Sequence, residues 1–494
     1  MSSSLQLKET FLKSLRSLDK IQECQAKYNI FTSIRPSSLL KDKLNKIHDL
    51  GNADGKLSCQ LAVIKDNIVT MSEPTTCASK MLRDYRSPFE STITKILEEN
   101  GTVIIGKTNL DEFGMGSLTT HSIFGATLNP LFPEEKRVAG GSSGGTAAAV
   151  ASGLANFGIG TDTGGSVRLP AAYCGVLGFK PSYGRISRWG VIAYAQSLDT
   201  VGIIANDLDT VREVYKILNK YDVKDPTSLD PEKRLEIDDL VSKEYSRPDR
   251  NILKIGVAEE FNVSDLSPEV SKAWFDCLSK LQKLGHEIIK ISIPSIKNSL
   301  PAYYTLAPAE ASSNLARYDG IRYGFRFSDS SSKDSENGVL FAPTRTKGFG
   351  DEVKRRILMG TYNLSSELFE NNFIKAQLIR KQLRVEFDQI FRFENILSRN
   401  KVNDSTGIID FLISPTSMTA APKLEDFEAK DHSSPTNSYV NDVLTIPASL
   451  AGLPTISIPW RSSNDVPIGI QIMGQFGDDD RVLQTSEILK SLDV

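Results

Sequence analysis

Histidine is scarce in this sequence. The 494 residues contain four, His48, His121, His286 and His432. None is near in sequence to the one serine of "GTDTGGSVRLP", residues 160–170. A serine hydroxyl needs a base to act as a nucleophile, and the usual base is histidine. If Ser166 is a catalyst, its proton must travel by another route. Cysteine is also thin: Cys24, Cys59, Cys77, Cys174 and Cys277 form an odd set without a CxxC pair. That argues against a disulfide framework or a zinc site and for a reducing compartment. No window approaches about 18 unbroken apolar residues, so no membrane span is expected. Neither sign of charge dominates, since 58 Lys and Arg face 61 Asp and Glu for a net charge of −3. A strongly basic nucleic-acid surface therefore has no support in the composition.

What is present is a globular composition, 40% hydrophobic and 24% charged, long enough for a large core. Between residues 58 and 221 the chain is dense in Gly and Ala. "LAVIKDNI", "GTVIIGKT" and "ANFGIGTD" predict buried strands, and "TAAAVASGLA" predicts a helix of small residues. This alternation points to an α/β layered fold. Residues 222–350 hold a charged, Pro-containing stretch around 224–251, predicted as an exposed connection, and a polar loop or insertion over 325–348. Within them, "ILKIGVA" and "HEIIKISIP" resume the strand pattern. Residues 351–494 supply a long helix candidate, "SELFENNFIKAQLIRKQLRVEFDQIF", and late strands "FLISPT" and "PTISIPW". These last strands are too few for a core of their own, so both halves are expected to share one sheet in a single domain spanning 1–494. In the N-terminal segment 1–57, Leu7, Phe11, Leu15 and Leu18 fall at helical spacing. The serine-rich start admits a mitochondrial targeting helix, while Glu9 and Asp19 favour an ordinary first helix.

Two glycine-rich stretches bear on chemistry. "AGGSSGGTAAAV", residues 139–150, lacks the GK[ST] ending of a phosphate-binding loop. It also fits G-x-S-x-G with Ser143 as nucleophile, but the preceding "FPEEKRVA" is a poor strand and His432 is the only late histidine. In the second stretch, Gly164 and Gly165 can present backbone N–H groups ahead of Ser166 without a Cβ in the way, as an oxyanion hole requires. A tight turn is an equally natural use of the pair. Lys65, ending the apolar run "LAVI", can serve as a base if burial lowers its pKa. A lone lysine at a strand end is more often a solvated edge residue.

"GGSSGG", then "GTDTGGSVRLPAAYCGVLGFKP", with "IKDN" upstream, resemble the amidase signature family, and the likeness runs through almost the whole chain. The resemblance implies an α/β fold with a central mixed twisted β-sheet covered by helices on both faces. It implies a Ser–cis-Ser–Lys triad of Ser166 as nucleophile, Ser142 as the bridging serine after a cis peptide bond, and Lys65 as base. The N–H groups of Thr163, Gly164, Gly165 and Ser166 would form the oxyanion hole. "IIGKTNLDEFGMGSLTTHSIFG", "EASSNLARYDGIRYG", "FGDEVKRRILMGTYNLS" and "NDVLTIPASLAGLPTISIP" are similar to one branch of that family, the A-type subunits of glutamyl-tRNA(Gln) amidotransferases. That branch hydrolyses glutamine and passes ammonia to a partner, which amidates Glu-tRNA(Gln). The likeness implies that Asp442 pairs with the glutamine α-ammonium, Arg356 with its α-carboxylate, and Tyr303 lines the pocket. The charge logic suits a zwitterion. Arg355 remains an alternative to Arg356, and Asp442 could instead cap the segment that follows it.

The resemblance further implies no metal or cofactor in this chain. ATP and Mg²⁺ would be used by a B-type partner subunit, with a small C-type or fungal-specific third subunit, and Glu-tRNA(Gln) would be held mostly by partners. "GNADGKLSCQLAVIKDNI" is abbreviated and lacks prolines usual in the family. With the serine-rich start, this suggests a fungal mitochondrial form working in the matrix, or a cytoplasmic one if the source is bacterial. The alternative function is a free-standing amidase acting on another small amide.

Overall fold

Short β-branched runs on either side of the glycine-rich stretches form the strands of one eleven-stranded sheet. The computed structural model describes residues 3–49, 57–248, 251–327, 340–398, 407–433, 435–461 and 466–492. The strands are β1 Phe31–Ile34, β2 Leu61–Lys65, β3 Val103–Thr108, β4 Phe157–Asp162, β5 Leu177–Lys180, β6 Thr200–Ala205, β7 Lys254–Ala258, β8 Glu287–Ile291, β9 Phe411–Pro415, β10 Thr455–Arg461 and β11 Pro467–Met473. Their order is β1-β3-β2-β4-β6-β5-β10-β11-β9-β7-β8. The sheet is mixed: β2 runs parallel to β3 and β4, and β7 to β8 and β9, while the remaining pairs are antiparallel.

Successive side chains of a strand point to opposite faces. In β2, Ala62 and Ile64 join one apolar cluster, and Leu61 and Val63 join another. Every residue of β2 is buried, so both faces of the sheet centre are covered. The helix of small residues, Gly144–Ala151, packs on the Leu61 and Val63 face. Its alanines allow the close approach that larger side chains would prevent. β5 pairs antiparallel with β10, which joins the glycine-rich half to the late half in one sheet, as expected.

Several expectations change. The stretch predicted as an exposed connection contains a fifteen-residue helix, Pro231–Tyr245, whose N-cap Asp230 accepts from Lys233 N. Its Ile237 and Val241 are buried and Leu240 packs beside them on the core, a stripe too narrow among the charges to announce the helix. Helix Ala342–Gly348 lies within the predicted polar loop; residues 328–339 of that loop are outside the described residues. The long helix candidate begins with a π-helical turn, Phe369–Ile374, and then runs as Lys375–Ile390. The N-terminal segment forms helix Ser3–Asp19 as its periodicity predicts, but it also contributes edge strand β1.

Candidate active site

The region holding Lys65, Ser142 and Ser166 is assembled by the ends of β2 and β4 and the loops beside them. Lys65 is the last residue of β2. The sheet carries it into the interior, where it is fully buried, so it is not the solvated edge residue that strand ends usually show. Its Nζ lies 2.8 Å from Ser142 Oγ, 3.0 Å from Thr161 Oγ1 and 3.3 Å from the Thr161 carbonyl. Asn67 Nδ2 also donates to Thr161 Oγ1, at 3.0 Å. Burial drives the Lys65 pKa down to about 7, against the opposing pull of Asp111, Asp162 and Asp199. A lysine in that range is divided between amine and ammonium near neutral pH, which is what a general base requires.

Ser142 follows a cis peptide bond from Gly141. Its loop is held from the 109–121 segment: Asp111 N–H donates to the Ser142 carbonyl at 3.4 Å. The Asp111 carboxylate accepts from the backbone N–H groups of Thr119, Thr120 and His121. Ser143, the elbow alternative, is buried and donates to the Thr161 carbonyl at 3.3 Å. It precedes a helix but no strand leads into it, so the hydrolase elbow is absent.

Ser166 sits in the turn between β4 and helix Arg168–Tyr173. Asp162 fixes that turn by accepting from the N–H of Val167 at 3.1 Å and by pairing with Arg168 at 2.8 Å, both side chains fully buried. Among the described residues, the N–H groups of Thr163, Gly164, Gly165 and Ser166 make no protein hydrogen bond. Four adjacent amides left free beside a serine suit a developing oxyanion. Thr163 Oγ1 donates to Asp199 Oδ1 at 2.8 Å, and Asp199 also accepts from the N–H groups of Tyr194 and Ala195.

The glycine pair is where the late half of the chain meets the early half. A Cβ on Gly164 would lie 2.8 Å from the Tyr303 hydroxyl oxygen, and one on Gly165 2.2 Å from Thr445 Oγ1 and 3.1 Å from Asp442 Oδ1. Only glycine permits this approach, so two of the three expected pocket residues abut the turn that carries Ser166. Arg356 is buried on helix Asp351–Asn363. Its guanidinium donates to Tyr194 Oη at 2.8 Å and to Glu352 Oε1 at 2.7 Å, and lies 5.4 Å from the Tyr304 ring centre and 5.3 Å from that of Tyr439. Arg355 is partly exposed and is also bound to Glu352, so of the two arginines it is Arg356 that enters the aromatic cluster.

Asp442 is buried, and burial pushes its carboxyl up to about 7 although Arg356 pulls the other way. Its Oδ1 has no hydrogen-bond partner among the described residues. The backbone carbonyl of Asp442 accepts from Thr445 N–H, and the helix Ile446–Ala451 has no side-chain cap. The capping alternative for the carboxylate therefore finds no support. A buried carboxylate with an idle oxygen calls for a cation.

Among the described residues no histidine side chain hydrogen-bonds into this arrangement; His121 contributes only its backbone. His48 stacks on Phe11, and His286 Nδ1 accepts from Leu253 N; the His432 side chain is outside the described residues. No group of His, Cys, Asp or Glu placed to hold a metal occurs among the described residues. The sequence reading missed Thr161, Asn67, Asp111 and Asp199. Thr161 had a signal, because it stands in the nucleophile stretch itself, two residues beyond buried Ile159 on a strand. Asn67 also stood in view, two residues past Lys65 in "IKDN"; Asp111 and Asp199 act across the fold and left no local mark.

The profile of the family described as Amidase matches residues 15–483. The chain is 51% identical over 475 residues to the A-type subunit of the mitochondrial glutamyl-tRNA(Gln) amidotransferase of Eremothecium gossypii, covering 96% of this chain and 98% of that one. It is 50% identical over 453 residues to the protein of the same name in Candida albicans, covering 91% and 96%. Among solved structures, the crystal structure of the A-type subunit of the Thermotoga maritima glutamyl-tRNA(Gln) amidotransferase is similar with a TM-score of 0.72 and 34% identity, over 97% of this chain and 90% of that one.

Proposed function

The chain belongs to the amidase family, and from that premise we propose that Lys65, Ser142 and Ser166 form its hydrolytic triad and that Tyr303, Arg356 and Asp442 hold glutamine against it. The protein is the glutaminase component of a tRNA-dependent amidotransferase. The observation that carries the site assignment is the junction at Gly164 and Gly165. There the free amides beside Ser166 adjoin an aromatic pocket with one buried cation and one buried acid.

In the acylation step, Ser166 Oγ attacks the glutamine side-chain carbonyl. Its proton passes to Ser142 Oγ while the Ser142 proton passes to neutral Lys65. The 2.8 Å contact between Lys65 and Ser142 supports the second half of that relay; the Ser166–Ser142 transfer is part of the proposal. The amides of residues 163–166 take the oxyanion. The C–N bond then breaks, the nitrogen recovers the proton from Lys65 through Ser142, and ammonia leaves. Water, activated by the same relay, cleaves the glutamyl ester to glutamate.

Arg356 recognises the α-carboxylate and Asp442 the α-ammonium, so the amide is presented by its far end. The same pair disfavours a free-standing amidase for simple amides, which has no use for two buried opposite charges. Ammonia then serves a partner of B type, assisted by a small C-type or fungal-specific subunit, that uses ATP and Mg²⁺ to convert Glu-tRNA(Gln) to Gln-tRNA(Gln). The mitochondrial names of the relatives support a mitochondrial site of action, in the matrix. The test is glutamine hydrolysis by the full chain in the assembly in which it is purified, with quenched samples analysed for a glutamyl ester on Ser166. An ester on another residue, or equal turnover of amides lacking both α-groups, would overturn the reading.

A further inference from the structure

Glu112 belongs neither to the triad nor to the glutamine pocket, yet it touches the supports of both. It follows Asp111, whose N–H donates to the Ser142 carbonyl and whose carboxylate organises the 119–121 amides. The Glu112 side chain is buried. One of its oxygens accepts the Ser79 hydroxyl, and the other accepts the Gly350 N–H at 2.8 Å. Gly350 is the N-cap of helix Asp351–Asn363, and that helix carries Glu352 and Arg356. A Cβ at Gly350 would lie 2.4 Å from Glu112 Oε2, so the carboxylate is seated on bare backbone. The next residues along each segment also meet: the Phe113 ring packs edge-on against Phe349 with centres 5.8 Å apart.

Two consecutive residues beside the Ser142 loop thus grip two consecutive residues at the start of the arginine helix. The first N–H groups of a helix, and the N–H of its cap, lack intrahelical partners, and a carboxylate is a favourable acceptor there. We propose that Glu112 is a positioning residue that fixes the helix bearing Arg356 against the Ser142 loop, and so sets the span between the α-carboxylate grip and the acyl-transfer centre. The inference rests on the reading of Arg356 as the partner of the α-carboxylate. The span matters because the glutamine amide carbon is placed at Ser166 only if the opposite end is held at the correct distance. A small misplacement of a positioning group lowers productive binding without touching the chemistry.

The test compares wild type, Glu112→Ala, Glu112→Gln, Arg356→Ala and the Glu112→Ala/Arg356→Ala double variant. Each is assayed with glutamine and with butyramide, which lacks both α-groups. The expected result is a KM for glutamine raised about tenfold in Glu112→Ala, the size of one lost buried hydrogen bond, with butyramide hydrolysis unchanged. Glu112→Gln should restore glutamine KM, because the amide keeps an oxygen for Gly350 N–H. The double variant should be no worse than Arg356→Ala, as expected for residues acting in one chain of contacts.

An equal loss on both amides, no loss on either, or full additivity in the double variant would overturn the proposal. If Arg356→Ala leaves glutamine KM unchanged, the α-carboxylate reading falls. Glu112 is then decided by Glu112→Ala alone: a glutamine-only loss keeps it as positioner of this helix, and no loss removes it. Should Glu112→Ala fail to fold, Gly350→Ala presses on the same carboxylate from the helix side and should give the same glutamine-selective loss.

Discussion

Lys65 Nζ stands 2.8 Å from Ser142 Oγ, with both side chains closed off from solvent. Burial gives Lys65 what a histidine has unaided, a nitrogen that is partly neutral near pH 7.

The base therefore has a signature in kcat. In the proposed relay Lys65 acts only as the amine, and its pKa is lowered to about 7, so kcat should fall tenfold per unit as pH drops below about 7. Lys65→Ala and Lys65→Arg should each lower kcat by at least about 10³-fold. A pH–kcat profile flat between 5 and 9 would remove lysine deprotonation from the mechanism.

Substrate binding has its own acid limb. Asp442 must be a carboxylate to receive an ammonium, but burial raises its pKa to about 7. Below that pH, glutamine binding has to expel a proton, and KM should rise as pH falls. In Asp442→Asn, KM should be raised about 10²-fold, as for a buried charge left unpaired, and its pH dependence should vanish while the kcat limb of Lys65 stays. Separate pH profiles of kcat and KM check both points.

Thr161→Val probes the support of the base. Valine keeps the shape but removes the hydroxyl that accepts from Lys65 Nζ and Asn67 Nδ2. An acceptor stabilises ammonium over amine, so its loss should lower the lysine pKa further. The kcat limb should move to lower pH, and the plateau should fall about tenfold as the amine loses its orientation. An unmoved limb would mean that Thr161 is packing alone.

Stability and activity should part company at Lys65. The folded pKa is depressed from its ordinary 10.5 to about 7. Between those values the unfolded chain binds more protons than the folded one, so stability should rise with pH across that window. Lys65→Met removes the buried amine, and its unfolding midpoint at pH 7 should lie about 2–4 °C above wild type although the variant is inactive. A lower midpoint in a thermal scan would show that the hydrogen bonds of the amine outweigh its desolvation.

Arg168 offers the opposite case. Its guanidinium meets Asp162, the Thr445 carbonyl and Ser449 Oγ, all in the interior. Arg168→Leu leaves the buried Asp162 charge without its ion-pair partner, and should destabilise the chain by about 3–5 kcal/mol. Denaturant unfolding measures this directly.

The parts of this protein that sequence disclosed are those whose chemistry is local. "GTDTGGS" displays a serine behind two glycines, and "LAVIK" ends a buried strand on a lysine, so the candidates for nucleophile, oxyanion donors and base were all legible locally. The strands around them followed from short β-branched runs. The pocket came only through resemblance, because Tyr303, Arg356 and Asp442 are brought together by helices and loops with no common local pattern. The supports Asp111, Glu112 and Asp199 escaped notice altogether. An isolated acid in a loop looks the same whether it is solvated or caps a distant backbone. Helix Pro231–Tyr245 was hidden for a related reason: its buried face is narrow and its remaining faces are charged.

The seam between β5 and β10 divides labour along the chain in time as well as in space. A nascent chain that has emerged only through β6 already carries Lys65, Ser142 and Ser166. It lacks the arginine helix, Asp442 and the Thr445 carbonyl that engages Arg168 beside the nucleophile. Because β10 and β11 lie in the middle of the sheet yet come last in the chain, the early and late halves of the candidate site can be joined in one sheet only once the final strands have been made.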